Sequence, residues 1–478
     1  MAIIKMLRGV RDKVNSSSAR PLLTPWISAI RNSSSSPQCN ASDSLSSHDY
    51  MELESTHSAH NYHPIKAVFS RAKDVKVWDP EGREYIDFLS AYSAANQGHC
   101  HPKVINALKE QADTLTLSSR AFYNDKFPLF AKKLSDIFKY DMVLPMNTGA
   151  EGVETALKLA RKWGYEKKGI GKDKAIIVSC CGCFHGRTLS VISMSCDNEA
   201  VGGFGPLMSG LPKVDYGDAH SLAAFFKEHG ENVAGFLFEP IQGEAGVIIP
   251  PDGYLKRVRQ LCSQHNVLMI ADEIQTGLAR TGKMLACDWE DVRPDVLILG
   301  KALGAGVLPV SAVLADKDIM LCIRPGEHGS TFGGNPLASA VGIAALDVIQ
   351  EEKLAEKASS LGEELRGLLQ ELQKAYPSLI KEVRGRGLLN AIEMDPAGLK
   401  GSSAYDVCLS LKEKGILAKP THDTIIRLSP PLTIRSSHLQ AATKALQDVL
   451  EEVTRNTNKR SANLHDVKIP CHRCGRCI

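Results

Sequence analysis

The sequence contains no apolar run long enough to cross a membrane as a helix, which would need about 18 uninterrupted apolar residues. It also has no strong charge imbalance, because the formal net charge is only +3 across 478 residues. Hydrophobic residues at 43% and charged residues at 23% are ordinary for a soluble globular chain of more than one small domain. These absences argue against a membrane protein and against a basic nucleic-acid-binding surface.

A disulfide-rich scaffold is excluded as well, although the chain has 13 cysteines. They are spread over a long chain, and most lie inside apolar runs, where cysteine behaves as a small buried hydrophobe. The exception is the terminal CHRCGRC, which places Cys471, Cys474 and Cys477 at a spacing typical of metal ligands. A closed zinc site needs four ligands, and His472 is awkwardly adjacent to Cys471. An oxidation-prone tail without a metal is therefore favoured.

The positive charge belongs to the first 40 residues. They carry six basic side chains and one acid, and subtracting these from the totals of 57 and 54 leaves 51 basic and 53 acidic residues. The leader is also rich in serine, a composition that resembles an organelle transit peptide. Its start, MLRGVRDKV, could form a basic amphipathic turn, which favours the mitochondrial matrix over the plastid. A disordered tail without an address is the alternative.

Secondary-structure patterns indicate an α/β chain. Residues 41–60 are polar and are interpreted as a loop, and a first β pattern with the turn DPEG follows. From about residue 100, helical patterns alternate with short apolar runs such as AIIVSC, VAGFLFEP, VLMIADE and DVLILG. Runs of this kind are typical of parallel strands buried on both faces. We therefore expect a layered α/β domain with a mostly parallel sheet, and a smaller α+β domain near the C-terminus.

The same patterns predict the boundaries of five segments. They are a leader at 1–40, an N-terminal segment of the small domain at 41–95, a large domain at 96–350, a C-terminal small domain at 351–455 and a cysteine-containing tail at 456–478. No internal repeat is found.

A lysine in an unusual setting is the first candidate site residue. In DVLILGKALGAGVLPVSAVLA, residues 295–315, Lys301 lies between two apolar runs and beside a glycine-rich turn. A phosphate-binding P-loop is excluded, because Ala302 stands where Ser or Thr should bind magnesium. A desolvated lysine has a lowered pKa, and its neutral amine can form a Schiff base. A surface lysine at a strand end is the alternative.

Two other stretches suggest what such a lysine would bind. VLMIADEIQTG ends an apolar strand with Asp272, where an acid could pair with a protonated pyridine nitrogen. MNTGAEGVETALKLARK places Thr148, Gly149 and Ala150 at a helix start, where N–H groups and the helix dipole favour a phosphate. The alternatives are a loop acid and an ordinary capping box from Thr148 to Glu151. Together the lysine, the acid and the helix start fit one ligand, pyridoxal 5'-phosphate.

At residues 58 to about 455 the chain also resembles the fold-type I, class III aminotransferases, most closely those of plant type that act on ornithine. The resemblance is carried by whole strings in family order, among them AYSAANQGHCHPK, CFHGRTLS, FEPIQGEAGV, ADEIQTGLARTGK, HGSTFGGNPLASA, LAKPTH and IIRLSPPL. The sequence departs from some relatives at His185, which stands where they have an aromatic residue. The implied fold is a large domain with a seven-stranded sheet and a smaller α+β domain.

The resemblance implies a set of cofactor contacts. Lys301 would bind the cofactor covalently and then shuttle a proton, and Asp272 would pair with the pyridine nitrogen. Contacts to the ring and phosphate are implied for Phe184 on one ring face, Ile274 on the other, Gln275 near the ring hydroxyl, and Thr148, Gly149 and Ala150 at the phosphate. Thr331 would reach the phosphate of a neighbouring subunit, which implies a homodimer or a higher oligomer. Core packing is the alternative for Phe184 and Ile274.

The resemblance also implies how two different substrates are bound. Arg187 and Arg427 match two family arginines that bind carboxylates, whereas surface ion pairs are the ordinary fate of arginine. Glu244 would neutralise Arg427 while ornithine is bound and move aside for the oxo acid. The remaining implied contacts are Tyr62 to the α-amino group, Tyr92 in the pocket wall and Glu239 near the centre.

The expected reaction transfers the δ-amino group of L-ornithine to 2-oxoglutarate, giving glutamate 5-semialdehyde, which cyclises to pyrroline-5-carboxylate, and glutamate. That reaction belongs to arginine and proline metabolism. A transaminase for acetylornithine or 4-aminobutyrate, or an aminomutase, would use the same Lys301 and Asp272 and is the nearest rival. A metal- or redox-responsive binding protein centred on the cysteine tail is a rival from another class.

Overall fold

A computed structural model describes residues 45–465, with side chains described as far as Arg455. The expected leader at 1–40 and the tail cysteines Cys471, Cys474 and Cys477 lie outside the described residues. Within the described range, no helix combines the length and apolar character needed to cross a membrane.

The described strands form three sheets. In chain order they are β1 Arg71–Lys73, β2 Lys76–Trp78, β3 Glu84–Asp87, β4 Met142–Met146, β5 Ile176–Cys180, β6 Lys213–Val214, β7 Val233–Phe238, β8 Leu268–Asp272, β9 Val296–Leu299, β10 Ser311–Ala315, β11 Ile380–Arg386, β12 Leu389–Met394, β13 Ile416–Leu417, β14 Lys419–Thr421 and β15 Ile425–Leu428. The central sheet has seven strands in the order β4-β10-β9-β8-β7-β5-β6.

Helices cover the sheets. In chain order they are α1 Ser47–His57, α2 Ser90–Ser93, α3 Pro102–Ala112, α4 Phe127–Phe138, α5 Gly149–Trp163, α6 Leu189–Ile192, α7 Asn198–Val201, α8 Ala219–His229, α9 Tyr254–Gln264, α10 Lys317–Met320, α11 Pro336–Glu351, α12 Leu354–Ala375, α13 Pro396–Leu399, α14 Ala404–Glu413 and α15 Ser436–His465. Several begin where the sequence supplies a start signal, such as a capping box at Thr148 or Ser403, or proline in the first turn of α3, α4 and α11.

The central sheet is parallel except at β10, which runs antiparallel to both β4 and β9. Strands β7 to β10 are buried along their whole length, because helices cover both faces of the sheet. Apolar clusters therefore form on each side, one built on α5 and the other on α8 and α9. The predicted α/β class, with a mostly parallel seven-stranded sheet and a smaller α+β part, is confirmed.

Two four-stranded sheets make up the rest. The sheet β1-β2-β3-β13 combines three strands from the N-terminal part of the described chain with one strand from its C-terminal part, because β13 pairs in parallel with β3. The antiparallel sheet β11-β12-β15-β14, here called the C-terminal sheet, buries Ile392, Ile426 and Leu428 in the main apolar core together with residues of α12, α14 and α15. Its opposite face packs Ala391 and Ile425 against Ile241 and Val247 of the loop after β7. Arg427 lies on that second face, by strand alternation. The five predicted segment boundaries remain predictions.

One local expectation is wrong. The polar residues 41–60 are expected to form a loop, but α1 spans most of that range. This helix has no buried residue, so it gives no apolar periodicity to detect. A capping box between Ser46 and Asp49 starts it, and Ser47 donates two hydrogen bonds to the Glu81 carboxylate. Capping and a tether to the β2–β3 turn stabilise α1, not burial.

Candidate active site

The candidate site lies at the carboxyl-terminal edge of the central sheet. Strands β4, β5, β7, β8 and β9 are mutually parallel, so the segments that follow them meet at one edge. Those segments, with Asp272 at the end of β8, carry Glu239 and all the predicted cofactor residues except Thr331. Packing at motif glycines shows how closely they approach: a methyl group added at Gly149 would meet Ile274 at 3.0 Å, and one at Gly186 would meet Ala150 at 2.8 Å.

Lys301 follows β9 and begins a 3₁₀ turn with φ 43°, a left-handed conformation that is strained for lysine. In the described part of the chain its amine makes no hydrogen bond or ion pair. Burial lowers the pKa of Lys301, although the charges of Glu244, Asp272 and Glu239 oppose the shift. The structure thus places a desolvated amine among three carboxylates, a setting suited to nucleophilic attack on a carbonyl carbon.

Asp272 ends β8, and its carboxylate is held in place from two sides. His185 Nδ1 lies 2.7 Å from Oδ2, and the Ile274 N–H donates to Oδ1 at 3.1 Å. Both side chains are almost completely buried. Burial opposes protonation of His185, but Cys183 and Asp272 outweigh it and raise the pKa of His185. His185 and the Ile274 N–H thus fix the orientation of the Asp272 carboxylate, which could then face a protonated pyridine nitrogen.

The start of α5 has two N–H groups available for an anion. Thr148 caps the helix, and a capping box with Glu151 uses the N–H groups of both residues. No acceptor is found within residues 45–465 for the N–H groups of Gly149 and Ala150, the first two helical positions. These donors lie at the positive end of a 15-residue helix and fit a phosphate. The capping-box alternative and the phosphate hypothesis are compatible, since they use different donors.

Glu239 follows β7 and links two loops of the site. Its carboxylate accepts from the N–H of Phe184 at 3.0 Å and from the N–H of Gly243 at 3.2 Å. Burial raises the pKa of Glu239 to about 7, with His185 and the two N–H donors opposing the shift. In the structure Glu239 therefore fixes the backbone of the loops that carry Phe184 and Glu244.

Glu244 and Arg427 form a bidentate ion pair. Arg427 Nη1 donates to Glu244 Oε1 at 2.9 Å, and Nη2 donates to Oε2 at 3.2 Å. Arg427 comes from β15 of the C-terminal sheet and is almost fully buried, and Gln275 accepts a further, longer bond from Nη1 at 3.4 Å. Burial alone would raise the pKa of Glu244, but the charge and hydrogen bonds of Arg427 lower it overall.

Tyr92 packs against the same arginine, whose guanidinium carbon lies 4.6 Å from the ring centroid. Burial raises the pKa of this phenol. The residue belongs to α2, which is a left-handed turn: the φ angles of Ser90, Ala91, Tyr92 and Ser93 are 46°, 47°, 58° and 73°. Left-handed helical geometry costs about 1–2 kcal/mol per L-residue. Four such residues in succession indicate strain held in place at a functional site.

Buried polar contacts hold this turn. Asp87 accepts from the Ser90 N–H at 2.9 Å, and the Ser90 hydroxyl donates to the Ser429 carbonyl at 2.7 Å. Arg280 is fully buried and donates to the Ser90 hydroxyl at 3.0 Å and to the Pro430 carbonyl at 2.7 Å. Burial lowers the pKa of Arg280 to about 9. The turn that carries Tyr92 is thus clamped to the segment after β15.

Four predicted residues are exposed, one of them Thr148 at the start of α5. Tyr62 is 76% exposed in the segment after α1. Arg187 lies 5.5 Å from the Phe184 ring centroid and makes a long ion pair of 3.9 Å with Asp197. Thr331 is exposed, beside the likewise exposed Phe332.

The sequence interpretation missed the His185–Asp272 pair, the left-handed turn and the buried Arg280. His185 lies in the quoted string CFHGRTLS, but a histidine there gives no sign of which acid it meets across 87 residues. The left-handed turn at residues 90–93 consists of serine, alanine and tyrosine, which do not indicate a positive φ in a sequence. Glycine or asparagine at these positions would have indicated one.

Comparison with known proteins agrees with this geometry. Residues 57–450 match the family model for aminotransferase class-III. The chain is 69% identical over 443 residues, covering 92% of this chain and 93% of the relative, to a protein of Arabidopsis thaliana named mitochondrial ornithine aminotransferase. Among solved structures it is similar to the ornithine aminotransferase from Toxoplasma gondii, with a TM-score of 0.84, 46% identity and coverage of 87% and 97% of the two chains.

A second solved structure is named acetylornithine aminotransferase, from Elizabethkingia anophelis, with a TM-score of 0.78, 51% identity and coverage of 86% and 100%. These similar proteins are named for different substrates, so structural similarity alone does not choose between the substrates. With the family model covering most of the chain, and the lysine, acid and helix start meeting at one sheet edge, the chain belongs to the class III aminotransferases.

Proposed function

We propose that the protein is a pyridoxal-phosphate-dependent ornithine δ-aminotransferase. It transfers the δ-amino group of L-ornithine to 2-oxoglutarate and releases glutamate 5-semialdehyde, which cyclises to pyrroline-5-carboxylate, and glutamate. The observation that carries the proposal is the ion pair between the buried Arg427 and the partly exposed Glu244, in the neighbourhood of Lys301. It provides a cation that Glu244 can neutralise for one substrate and release for the other. The named relatives at high identity support the same substrate.

The residues present fit the cofactor. The desolvated amine of Lys301 could bind the cofactor aldehyde, and the fixed carboxylate of Asp272 could pair with the pyridinium. The N–H groups of Gly149 and Ala150 could bind the phosphate. When bound, the cofactor supplies an electron sink for breaking the C–H bond next to the amine. Lys301 would move the proton between the substrate carbon and the cofactor carbon. Phe184 and Ile274 would enclose the ring.

Arg187 would bind the α-carboxylate of ornithine. Its ion pair with Asp197 is long and exposed, so little stabilisation is lost when a ligand displaces it. Tyr62 would hydrogen-bond the α-amino group, and Tyr92 would form the wall against Arg427. In this arrangement the δ-amino group points toward Lys301 while Glu244 keeps Arg427 neutralised. For 2-oxoglutarate, Arg427 must be released to bind the second carboxylate.

Separate half-reactions test the substrate assignment. The loaded enzyme is mixed with ornithine, N-acetylornithine or 4-aminobutyrate, and loss of the visible cofactor band is followed in a single turnover. We expect ornithine to react fastest, because an acetylated α-amine cannot offer the same hydrogen bonds to Tyr62. Faster reaction with N-acetylornithine or 4-aminobutyrate would assign the protein to the corresponding rival activity.

We also propose a homodimer in which Thr331 completes the partner's phosphate site. The exposed apolar side chains Phe122, Tyr123 and Phe332 support a covered surface near this loop. Mixed dimers of a Thr331→Ala chain and a Lys301→Ala chain test this proposal. Each mixed dimer should have one complete site, with Lys301 from the first chain and Thr331 from the second, and should therefore regain activity. No gain over the separate variants would show that Thr331 serves its own chain or none.

The leader of the chain is proposed to direct it to the mitochondrion, specifically to the matrix. The basic, serine-rich composition of residues 1–40 supports this, as does the mitochondrial name of the Arabidopsis thaliana relative. The plastid alternative has no support from that name. The location of a fluorescent fusion of the protein, with and without residues 1–40, tests whether the leader directs it to mitochondria.

A further inference from the structure

Two cations lie next to each other on the face of the C-terminal sheet that points toward the site. Strands β14 and β15 are antiparallel, and their register places Lys419 directly opposite Arg427. Directly opposite residues project from the same face, with Cβ atoms about 4.5–5.5 Å apart, and like charges in that position destabilise a sheet. An ordinary sheet would place an acid or a neutral residue at one of the two positions.

One carboxylate lies beside this pair of cations. Glu244 is engaged by Arg427 through both of its oxygens. The half-buried Lys419 amine has no hydrogen bond or ion pair anywhere in the part of the chain with described side chains. Burial and the charge of Arg427 lower the pKa of Lys419, and the negative charge of Glu244 opposes the shift. The sheet register thus places Lys419 beside the arginine that holds Glu244, and the Lys419 amine does not bind that carboxylate.

The two half-reactions place opposite demands on Glu244. Ornithine has no second carboxylate, so Glu244 can stay on Arg427. The acceptor brings a second carboxylate that takes the Arg427 guanidinium, and Glu244 then loses its partner in a largely buried setting. The Glu244 side chain is 31% exposed, so the unpaired carboxylate would be only partly solvated, which is unfavourable. A second cation one strand away would remove that cost.

We propose that Lys419 is a positioning residue that binds the Glu244 carboxylate while Arg427 binds the second carboxylate of the acceptor. This rests on the proposed function, in which one pocket accepts an amino acid with a terminal amine and then a dicarboxylate. In the ornithine state Glu244 pairs with Arg427. In the acceptor state Glu244 pairs with Lys419 and the acceptor pairs with Arg427, so each carboxylate has a cation in both states.

The test uses Lys419→Met, which keeps the length of the side chain and removes the charge, and Lys419→Arg, which keeps the charge. The matched control is Lys444→Met, at an exposed lysine of α15. The half-reaction with ornithine is measured on the enzyme loaded with pyridoxal phosphate, and the half-reaction with 2-oxoglutarate is measured on the enzyme loaded with pyridoxamine phosphate. Lys419→Met should raise the KM for 2-oxoglutarate about tenfold, which corresponds to about 1.4 kcal/mol and lies near the lower end for a hydrogen bond to a charged group. The ornithine half-reaction and its kcat should not change, and Lys419→Arg should retain most of the acceptor affinity.

A second background separates this role from a structural one. A Glu244→Gln protein has no carboxylate for Lys419 to bind. Adding Lys419→Met to it should therefore have no further effect on the KM for 2-oxoglutarate. Equal losses in both half-reactions, an unchanged KM in Lys419→Met, or a full further loss when Lys419→Met is added to Glu244→Gln would each overturn the proposal. If Lys419→Met does not fold, Lys419→Gln takes its place. A wild-type protein that fails to react with ornithine would instead refute the proposed function.

Discussion

The cofactor end and the substrate end of the site are built in different ways. At the cofactor end, Lys301, Asp272 and the start of α5 follow parallel strands of one sheet, so the topology alone brings them together. At the substrate end, Glu244 comes from a loop, Arg427 from the C-terminal sheet and Tyr92 from a strained turn near residue 90. That end exists only when the three segments are docked.

The difference shows in how each end is stabilised. The cofactor end depends on sheet hydrogen bonds and on the apolar clusters that cover both faces. The substrate end depends on buried polar contacts, above all the hydrogen bonds of Arg280 to Ser90 and Pro430 and the Glu244–Arg427 pair. Changes at the first end should therefore abolish chemistry, and changes at the second should redistribute it between substrates.

The largest effect is expected for Lys301→Ala. Its amine supplies both the covalent link and the proton transfer, so the half-reaction rate with ornithine should fall by about 10³-fold or more, with pyridoxal phosphate still bound non-covalently. The exposed Lys256→Ala, on α9, is the control and should behave as wild type. Absorbance after dialysis reports the cofactor, and stopped-flow absorbance reports the rate. A rapid half-reaction in Lys301→Ala would place the reactive amine elsewhere.

The next largest effect distinguishes the roles of two neighbouring acids at the cofactor end, Asp272 and Glu273. Glu273 is fully buried and accepts from the Cys287 N–H and the Thr276 hydroxyl, away from His185. Burial raises the pKa of Glu273 from 4.5 to about 7. The folded state then holds its proton more tightly than the unfolded state, so the stability that this group contributes is lost as pH rises from about 4.5 to 7.

Glu273→Gln should remove that pH dependence. The free energy of unfolding of the variant, measured relative to wild type, should rise by up to about 3 kcal/mol between pH 5 and pH 8. Urea unfolding at the two pH values measures it, and the half-reaction rate should be unchanged. Equal differences at both pH values would show that Glu273 titrates normally, and lost activity would move Glu273 into the reacting centre.

Glu244→Gln sharpens the comparison at the substrate end. Without its carboxylate, Arg427 stays positively charged beside the terminal amine of ornithine and stays available to glutamate. The ratio of half-reaction rates for ornithine and glutamate should shift about tenfold or more toward glutamate, which corresponds to roughly 1.4 kcal/mol. Single-turnover rates for both donors give the ratio directly. An unchanged ratio would mean that Glu244 only supports the loop.

The positions of residues at the cofactor end can be inferred from the sequence more directly than those at the substrate end, for a physical reason. Apolar runs followed by Asp272 or Lys301 place those residues at the strand ends, and parallel strands bring their ends together. The contact between Glu244 and Arg427 spans 183 residues and two sheets, so only the family resemblance suggested it. The His185–Asp272 bond, the positive φ angles at residues 90–93 and the role of Arg280 depend on tertiary packing, and α1 gave no apolar pattern.

The smallest predicted effect tests whether the substrate end is strained. Ala91 is exposed with φ 47°, and Ala94, three residues later, has φ −75°. Glycine adopts positive φ without steric cost, so Ala91→Gly should stabilise the fold by about 1 kcal/mol. At Ala94 the right-handed geometry suits alanine, so Ala94→Gly should destabilise it by about 0.5–1 kcal/mol. The two substitutions are chemically identical, and opposite signs in urea unfolding would therefore isolate the backbone strain. If both destabilise the fold, the left-handed turn costs little, and Tyr92 is held at the substrate end without stored strain.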